Sequence, residues 1–154
     1  MKFEDLNLHP SLLKAVKDQN YTHPTAIQKK AIPLALKKND VLGSAQTGTG
    51  KTAAFALPIL HHLINEKSNN STIKIRVLVV TPTRELSIQI EENFTAYSKY
   101  NNIKNTVIFG GVKQGAQTIA LNTGVDVLVA TPGRLLDLMG QGFISLKEDR
   151  KSVV

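Results

Sequence analysis

The sequence predicts an α/β fold, a parallel, doubly wound sheet with helices on both faces. Short runs of β-branched and aliphatic residues alternate four times with segments of helical periodicity, which is the order typical of this class. Glycine, proline or threonine marks the turn after each run. Because ligands bind at the carboxyl ends of strands in such sheets, these turns are the candidate functional positions.

Composition limits the classes of function. The chain has 154 residues, 42% of them hydrophobic, which suits one domain with a buried core and excludes wholesale disorder. It has no cysteine, which excludes a disulfide scaffold, a thiol nucleophile and a cysteine-ligated metal centre. The net charge of +7 favours a polyanionic partner such as nucleic acid, although a merely soluble basic protein would carry the same charge. No run approaches the ~18 apolar residues of a membrane span and the N-terminus is acidic, so we expect no membrane association and a cytoplasmic location.

The N-terminal third predicts two helices. Leu12, Leu13 and Val16 have helical spacing behind Ser11, which is a candidate N-cap. A second helix is expected to start at Thr25, another cap candidate. Proline lacks a backbone N–H, so this helix is expected to be interrupted near Pro33.

The next strand–helix unit begins at residues 41–45, Val-Leu-Gly-Ser-Ala, which predict a short buried strand leading into a glycine-rich turn. A helix is expected from Lys51 to about Asn65, with a kink or break at Pro58.

Three further runs predict strands, at residues 75–80, 106–109 and 125–130. The first is almost continuously β-branched, which is typical of a strand buried on both faces. The helix after the first is capped by Thr83, and a weaker helix after the second ends near Leu121. After the third, Thr131-Pro132 supplies a cap followed by proline at the first helical position.

The clearest motif is a phosphate loop between a predicted strand and a predicted helix, Ala45-Gln46-Thr47-Gly48-Thr49-Gly50-Lys51-Thr52. Its two glycines let the backbone curl so that N–H groups point at phosphate oxygens, and the helix dipole adds positive charge. Lys51 would reach the β- and γ-phosphates, and the Thr52 hydroxyl would ligate Mg²⁺. The alternative is a glycine-rich turn that binds nothing.

With this loop and its companion motifs, the chain resembles the DEAD-box RNA helicases from residue 3 to about residue 146, with the RhlE-type subgroup most similar. The loop is the family's own version, with Ala45 in place of the first glycine. The other matching segments are Phe3, Tyr21-Thr22-His23-Pro24-Thr25-Ala26-Ile27-Gln28 (the Q motif), Pro82-Thr83-Arg84-Glu85-Leu86, Gly110-Gly111 and Thr131-Pro132-Gly133-Arg134. Asn20 and Ala26 depart from the usual Q motif without removing a ligand group.

The resemblance implies a RecA-like P-loop NTPase domain that binds ATP and Mg²⁺. Residues 1–29 would form the Q-motif segment, 30–146 a partial helicase ATP-binding domain, and 147–154 an atypical tail. Lys51 and Thr52 would be catalytic, Thr52 would hold the metal, and the whole loop from Ala45 to Thr52 would bind the nucleotide. Gln28 would bond adenine N6 and N7; the alternative is that Gln28 is a solvent-facing helix residue. Tyr21 would stack on the adenine ring; the alternative is that Tyr21 is a half-buried aromatic of the core.

The resemblance also implies a sequence-independent contact with the RNA backbone through three turns. Their residues are Pro82, Thr83, Arg84, Glu85, Gly110, Gly111, Thr131, Pro132, Gly133 and Arg134. Taken singly, the threonines are better explained as helix caps, the glycines as a turn and Arg134 as an ion-pair partner. Taken jointly, in this order behind a phosphate loop, they favour the RNA contact.

Members of this family continue with a strand ending in Asp-Glu-Ala-Asp and then a second RecA-like domain, and neither occurs in this sequence. The last eight residues do not resemble the approach to that strand, so the fold is expected to be truncated before it. We therefore expect the ATP- and RNA-binding N-terminal lobe of an ATP-dependent RNA helicase, an ATP hydrolase, whose 154 residues alone are marginally stable and inactive. The alternatives are a non-catalytic nucleotide- or RNA-binding module, and a P-loop NTPase without a nucleic-acid partner.

Overall fold

A computed structural model describes residues 1–66, 75–147 and 152–154. The chain folds as two compact units. The first contains Met1–Lys67 and Asn93–Asn102, and the second contains Ser68–Glu92 and Ile103–Val154.

The first unit is helical. A short 3-10 helix, Phe3–Leu6, precedes α1 (Pro10–Asp18), α2 (Ala26–Leu36) and α3 (Lys51–Asn65). The last residues of α4 (Arg84–Tyr97) also belong to it. Its largest fully buried side chains are Leu12, Val16, Ile32, Leu57, Leu60, Phe94 and Tyr97. These apolar side chains, removed from water, form the core that holds the helices together.

The second unit contains a parallel sheet. Its strands are β1 (Val77–Val80), β2 (Asn105–Ile108), β3 (Val127–Ala130) and β4 (Ser152–Val153), in the order β2-β3-β1-β4. Helices α5 (Gly115–Thr123) and α6 (Pro132–Gly140) follow β2 and β3. Leu78, Ile108 and Leu128 of the strands pack with Leu138 of α6 in one core cluster. The parallel α/β class predicted from the sequence is confirmed.

The strand predicted at residues 41–45 is wrong. Residues 41–46 contain neither helix nor strand, and the described sheet does not include them. Val41 is 42% exposed and Leu42 is fully exposed. A strand needs a neighbour that pairs its backbone N–H and C=O groups, and the composition of a short segment cannot supply that neighbour.

Two helix features also differ from the predictions. The N-cap of α1 is His9 and not Ser11: the His9 side chain accepts from the Ser11 backbone N–H, and Pro10 occupies the first helical position. Neither predicted proline ends a helix, since α2 continues through Pro33 and α3 through Pro58. Pro58 is buried, so packing offsets the backbone hydrogen bond that proline removes.

The caps predicted at Thr25 and Thr83 are confirmed. The Thr25 hydroxyl accepts from the Gln28 N–H, and the Thr83 hydroxyl accepts from the Leu86 N–H at 3.3 Å. Thr131 lies at the N-cap of α6 as predicted, but its side chain makes no capping hydrogen bond.

The tail contributes to the sheet, which the sequence did not suggest. Strand β4 pairs in parallel with β1, so that Val77 faces Ser152 and Leu78 faces Val153. The backbone of Val154 adds two hydrogen bonds, to the Leu78 carbonyl and from the Val80 N–H, at 2.9 and 2.8 Å. These bonds cover one edge of β1. They pair backbone donors and acceptors of β1 that an uncovered edge would leave without partners.

Candidate nucleotide site and nucleic-acid interface

The phosphate loop has the backbone that its glycines predict. Gly48 and Gly50 both have left-handed conformations, with φ of +79° and +81°, which side-chain-bearing residues rarely adopt. Gly50 is the N-cap of α3, so the helix begins at Lys51. The Thr49 hydroxyl donates to the Gln46 carbonyl at 2.6 Å, which closes the turn on itself. The loop therefore curls directly in front of a fifteen-residue helix, at the positive end of its dipole.

The two residues predicted to act on phosphate and metal lie at the first and second positions of α3. Lys51 is exposed, and its ammonium group donates to the Ala45 carbonyl at 2.5 Å, across the loop. Thr52 is half-buried. Threonine and phosphate oxygens are the hard ligands that Mg²⁺ takes, and a lysine across the loop supplies positive charge, so the residues present fit a Mg–nucleotide.

Gln28 is tied to the phosphate loop. Its side chain is 3% exposed, which rules out the alternative of a solvent-facing helix residue. The amide oxygen accepts from the Thr25 N–H at 3.0 Å, and the amide nitrogen donates to the Gly50 carbonyl at 3.1 Å. A primary amide has two donors and two acceptor lone pairs, so these bonds use one of each. One donor and one acceptor are left over, which is the pair that adenine N7 and N6 require.

Tyr21 lies on the exposed side of an aromatic cluster and is 38% exposed. Its ring stacks on Phe3, with centroids 6.3 Å apart, and its hydroxyl lies 3.4 Å from that of Tyr97. Phe3 therefore packs against the Q-motif segment. Burial raises the pKa of the Tyr97 phenol, and the hydrogen bond with Tyr21 adds to that effect. A rigid, half-exposed ring such as Tyr21 can stack with a base, but it is equally a member of this cluster.

The first predicted RNA-binding turn, between β1 and α4, is held from within and presents an arginine. The buried Thr81 hydroxyl bonds the Ser87 hydroxyl and donates to the Thr83 carbonyl at 3.1 Å. Pro82, Thr83, Arg84 and Glu85 are all exposed. The Arg84 guanidinium lies over the Phe109 ring, 4.6 Å from its centroid. A guanidinium over an aromatic ring is attracted to the ring face, and its N–H groups are the donors that suit phosphate.

The second and third predicted turns follow β2 and β3. Gly110 and Gly111 are exposed, and Gly111 has φ of +80°. In the third turn, Pro132 and Gly133 are exposed. A Cβ added at Gly110 or Gly133 would meet no atom within 4 Å, and neither has a positive φ that would require glycine.

The arginine of the third turn is committed to protein contacts. The Arg134 side chain is only 11% exposed. It donates from Nη1 to the Gln117 amide oxygen at 3.0 Å and from Nη2 to the Val112 carbonyl at 2.8 Å. Its Nε lies 3.8 Å from an Asp137 carboxylate oxygen. Gln117 belongs to no recognised motif, and sequence inspection missed it; a polar residue on the buried face of a helix was the available signal.

Three histidines of the first unit, His9, His61 and His62, are neighbours. The His61 Nδ1 atom accepts from the His9 backbone N–H at 3.0 Å, and the His62 Nε2–H donates to the Ala35 carbonyl at 3.0 Å. Burial lowers the pKa of His61, and the charges of His62 and His9 lower it further. Within the described ranges, no three His, Cys, Asp or Glu side chains are placed to hold a metal ion.

Comparison with known proteins identifies relatives over nearly the whole chain. The sequence profile of the DEAD/DEAH box helicase family matches residues 25–153, which includes part of the tail. The chain is 47% identical over 135 residues to the ATP-dependent RNA helicase SrmB of Haemophilus influenzae, covering 88% of this chain and 30% of the relative. It is 39% identical over 147 residues to the ATP-dependent RNA helicase RhlB of Actinobacillus succinogenes, covering 96% of this chain and 36% of the relative. Assignment to the RhlE-type subgroup stays a prediction.

A solved structure has the same fold. The crystal structure of a DEAD box protein from the hyperthermophile Methanococcus jannaschii superposes with a TM-score of 0.85 and 38% sequence identity, over 96% of this chain and 39% of that one. The chain thus spans between about a sixth and two fifths of these relatives, since it covers 17% of the probable ATP-dependent RNA helicase ddx27 of Dictyostelium discoideum. None of the helices in the described part of the chain is long and apolar enough to cross a bilayer.

Proposed function

This chain belongs to the DEAD/DEAH box helicase family, and from that premise we propose that it is the ATP- and RNA-binding N-terminal lobe of an ATP-dependent RNA helicase. In the intact enzyme a second RecA-like domain would complete the ATP site, and ATP hydrolysis would drive the remodelling of RNA duplexes. The proposal includes a cytoplasmic location.

The observation that carries the ATP proposal is the bond between Gln28 and the carbonyl of Gly50. It joins the proposed adenine reader to the residue at which the phosphate loop becomes a helix. Gln28 and Tyr21 would contact adenine, and the loop from Ala45 to Thr52 would hold the phosphates. Bound Mg²⁺ would neutralise phosphate charge, with the Thr52 hydroxyl as its ligand from this chain. Lys51 would leave the Ala45 carbonyl for the phosphate oxygens, which are stronger acceptors for an ammonium group.

The observation that carries the RNA proposal is the presence of glycine where the protein itself does not need it. Glycine at Gly133, inside the first turn of α6, costs about 1 kcal/mol relative to alanine. Neither sterics nor backbone conformation explains Gly133 or Gly110. Close approach of a ligand backbone would explain both. The neighbouring Thr83, Arg84 and Thr131 would complete a contact that follows the sugar–phosphate chain.

ATP binding is tested with a fluorescent ATP analogue in the presence of Mg²⁺. We expect Lys51→Ala to weaken binding at least about tenfold, because it removes the cation that faces the phosphates. Lys37→Ala is the matched control, since it removes the same charge from an exposed residue outside the loop. Equal affinities for Lys51→Ala and Lys37→Ala would overturn the assignment. We expect no ATP turnover by the 154-residue chain above the Lys51→Ala level, because the sequence contains no Asp-Glu-Ala-Asp motif.

RNA binding is tested by the salt dependence of affinity for a short single-stranded oligouridylate. Affinity should fall linearly on a log–log plot as salt rises, and Arg84→Ala should reduce the slope by about one phosphate contact. Lys30→Ala, an exposed lysine outside the three turns, should leave the slope nearly unchanged. The absence of salt-dependent binding would favour a P-loop NTPase without a nucleic-acid partner.

A further inference from the structure

The three turns proposed to bind RNA are joined by a chain of side-chain contacts. Arg84 of the first turn lies over the Phe109 ring, and Phe109 immediately precedes the double glycine of the second turn. Arg134 of the third turn donates to the carbonyl of Val112, which immediately follows that double glycine. The segment that carries Gly110 and Gly111 is therefore held on both sides by residues of the neighbouring turns.

Gln117 of α5 is the residue at which these contacts meet. It is 8% exposed, and both ends of its amide are engaged. The amide nitrogen donates to the Phe109 carbonyl at 3.1 Å, and the amide oxygen accepts from Arg134 Nη1 at 3.0 Å. The first bond holds the backbone before the double glycine. The second directs the guanidinium that holds the backbone after it.

A buried amide in this position has a clear energetic role. Removing it would leave the Phe109 carbonyl and one Arg134 N–H group without these partners in a poorly hydrated place. Arg134 would still carry its charge and could adopt other rotamers, and Gly111, with its positive φ, has no side chain to restrict the segment. The turn would then sample many conformations in the free protein. RNA binding would have to order it, and the entropy lost in doing so would reduce the affinity for RNA.

We propose that Gln117 is a positioning residue for RNA binding, which holds the Gly110–Gly111 turn in register with Arg84 and Arg134 without contacting RNA. This inference rests on the proposed RNA-binding function. It assigns Arg134 to the same task, since its guanidinium is directed at protein atoms. Arg84 is then the exposed arginine that contacts phosphate.

The experiment compares Gln117→Ala with Gln114→Ala in the full 154-residue chain. Gln114 is the matched control, because its amide also makes side-chain hydrogen bonds, two of them with Gln141 at the C-cap of α6, but does not hold the double glycine. Affinity for the oligouridylate is measured by fluorescence anisotropy over a range of salt concentrations. In the RNA-free protein, amide hydrogen exchange is measured at Gly110, Gly111 and Val112.

We expect Gln117→Ala to weaken RNA binding about tenfold, as the loss of a buried hydrogen-bonded amide implies, with an unchanged salt slope because no charge is removed. Exchange at Gly110–Val112 should accelerate in this variant and not in Gln114→Ala. Gln117→Glu still accepts from Arg134 but places a carboxylate oxygen against the Phe109 carbonyl oxygen, so exchange at Gly110–Val112 should accelerate in this variant as well. This variant also tests the proposal if Gln117→Ala fails to unfold cooperatively.

Two results would overturn the inference, and they are distinguishable. Equal RNA affinities of Gln117→Ala, Gln117→Glu and Gln114→Ala, with an unmodified chain that binds RNA, would overturn the positioning role alone. Failure of the unmodified chain to bind RNA would overturn the proposed function and this inference together.

Discussion

Gln28 donates a hydrogen bond from its side-chain amide to the carbonyl oxygen of Gly50, 22 positions away in sequence. The same carbonyl accepts the first helical bond of α3, from the Ala54 N–H at 3.3 Å. Gln28 also completes a capping box with Thr25 at the start of α2. One buried side chain thus connects the beginnings of two helices with the phosphate loop.

We expect Gln28→Ala to weaken MgATP binding about tenfold and to remove any preference for ATP over GTP, because an amide matches adenine N6 and N7 and not the guanine edge. RNA affinity should not change. The loss of the capping box should also lower the free energy of unfolding by about 1 kcal/mol, so affinities are compared below the unfolding transition. Equal ATP and GTP affinities in the unmodified chain would contradict the adenine-reading role.

Gly50→Ala and Gly48→Ala form a matched pair. Both positions have a positive φ, so each substitution costs about 1 kcal/mol of backbone strain. Only the Gly50 substitution adds a clash, since its Cβ would overlap the Gln28 amide nitrogen, whereas the one at Gly48 meets nothing within 4 Å.

We therefore expect Gly50→Ala to lower the free energy of unfolding by about 1–3 kcal/mol more than Gly48→Ala, measured by urea denaturation. The double variant Gly50→Ala/Gln28→Ala should recover part of that difference. Equal costs for the two single variants would show that Gln28 does not pack against Gly50 in solution.

Leu42→Ala tests the exposed segment before the phosphate loop. Leu42 is fully exposed, so truncation should change the free energy of unfolding by no more than about 0.5 kcal/mol. Leu57→Ala is the contrasting substitution, since this side chain is 0% exposed and its loss should cost about 2–5 kcal/mol. A large cost at Leu42 would restore the strand that the sequence predicted there.

The stability of the first unit should depend on pH through His61. Burial lowers its pKa, so between that lowered value and the ordinary histidine value of 6.5 the unfolded chain binds more protons than the folded one. Stability should therefore be full above pH ~6.5 and fall as the solution is acidified through that window. Protonation of Nδ1 would also break the bond from the His9 N–H.

His61→Asn should remove this component, because the asparagine oxygen occupies nearly the Nδ1 position and accepts without titrating. Urea unfolding measured at neutral and mildly acidic pH gives the difference for the unmodified chain and the variant. The same substitution at the exposed His23 is the control. If the His61→Asn variant loses as much stability on acidification as the unmodified chain does, His61 is not the source of that loss.

Local sequence patterns predicted the helices and strands that end at residues with a distinctive backbone preference, such as glycine. The helix from Lys51 to Asn65 has the predicted bounds, because a left-handed glycine can end the loop where the helix begins. The strands at Val77–Val80 and Val127–Ala130 lie within the predicted runs. Of the kink or break predicted at Pro58, the break does not occur, because local propensity takes no account of the burial of Pro58 within the continuous helix.

The strand in the tail was not predicted, for a related reason. A tail ending in Ser152-Val153-Val154 is too short to show a period, and its pairing with β1 depends on an edge that another part of the chain supplies. The converse holds for residues 41–45, which have strand-like composition but no partner in the described sheet. In both cases the available neighbour, and not the composition, decided whether a strand formed.

The order of the motifs, the curl of the phosphate loop and the alternation of strands with helices after residue 75 were determined by the sequence alone, because turn chemistry and periodicity act over a few residues. Tertiary structure alone decided which side chains hold those motifs together. Gln28 meets Gly50, and Gln117 meets Phe109 and Arg134, only after the helices have packed. These hydrogen bonds join residues of separate segments of the chain, so the spacing of residues within a motif could not predict them.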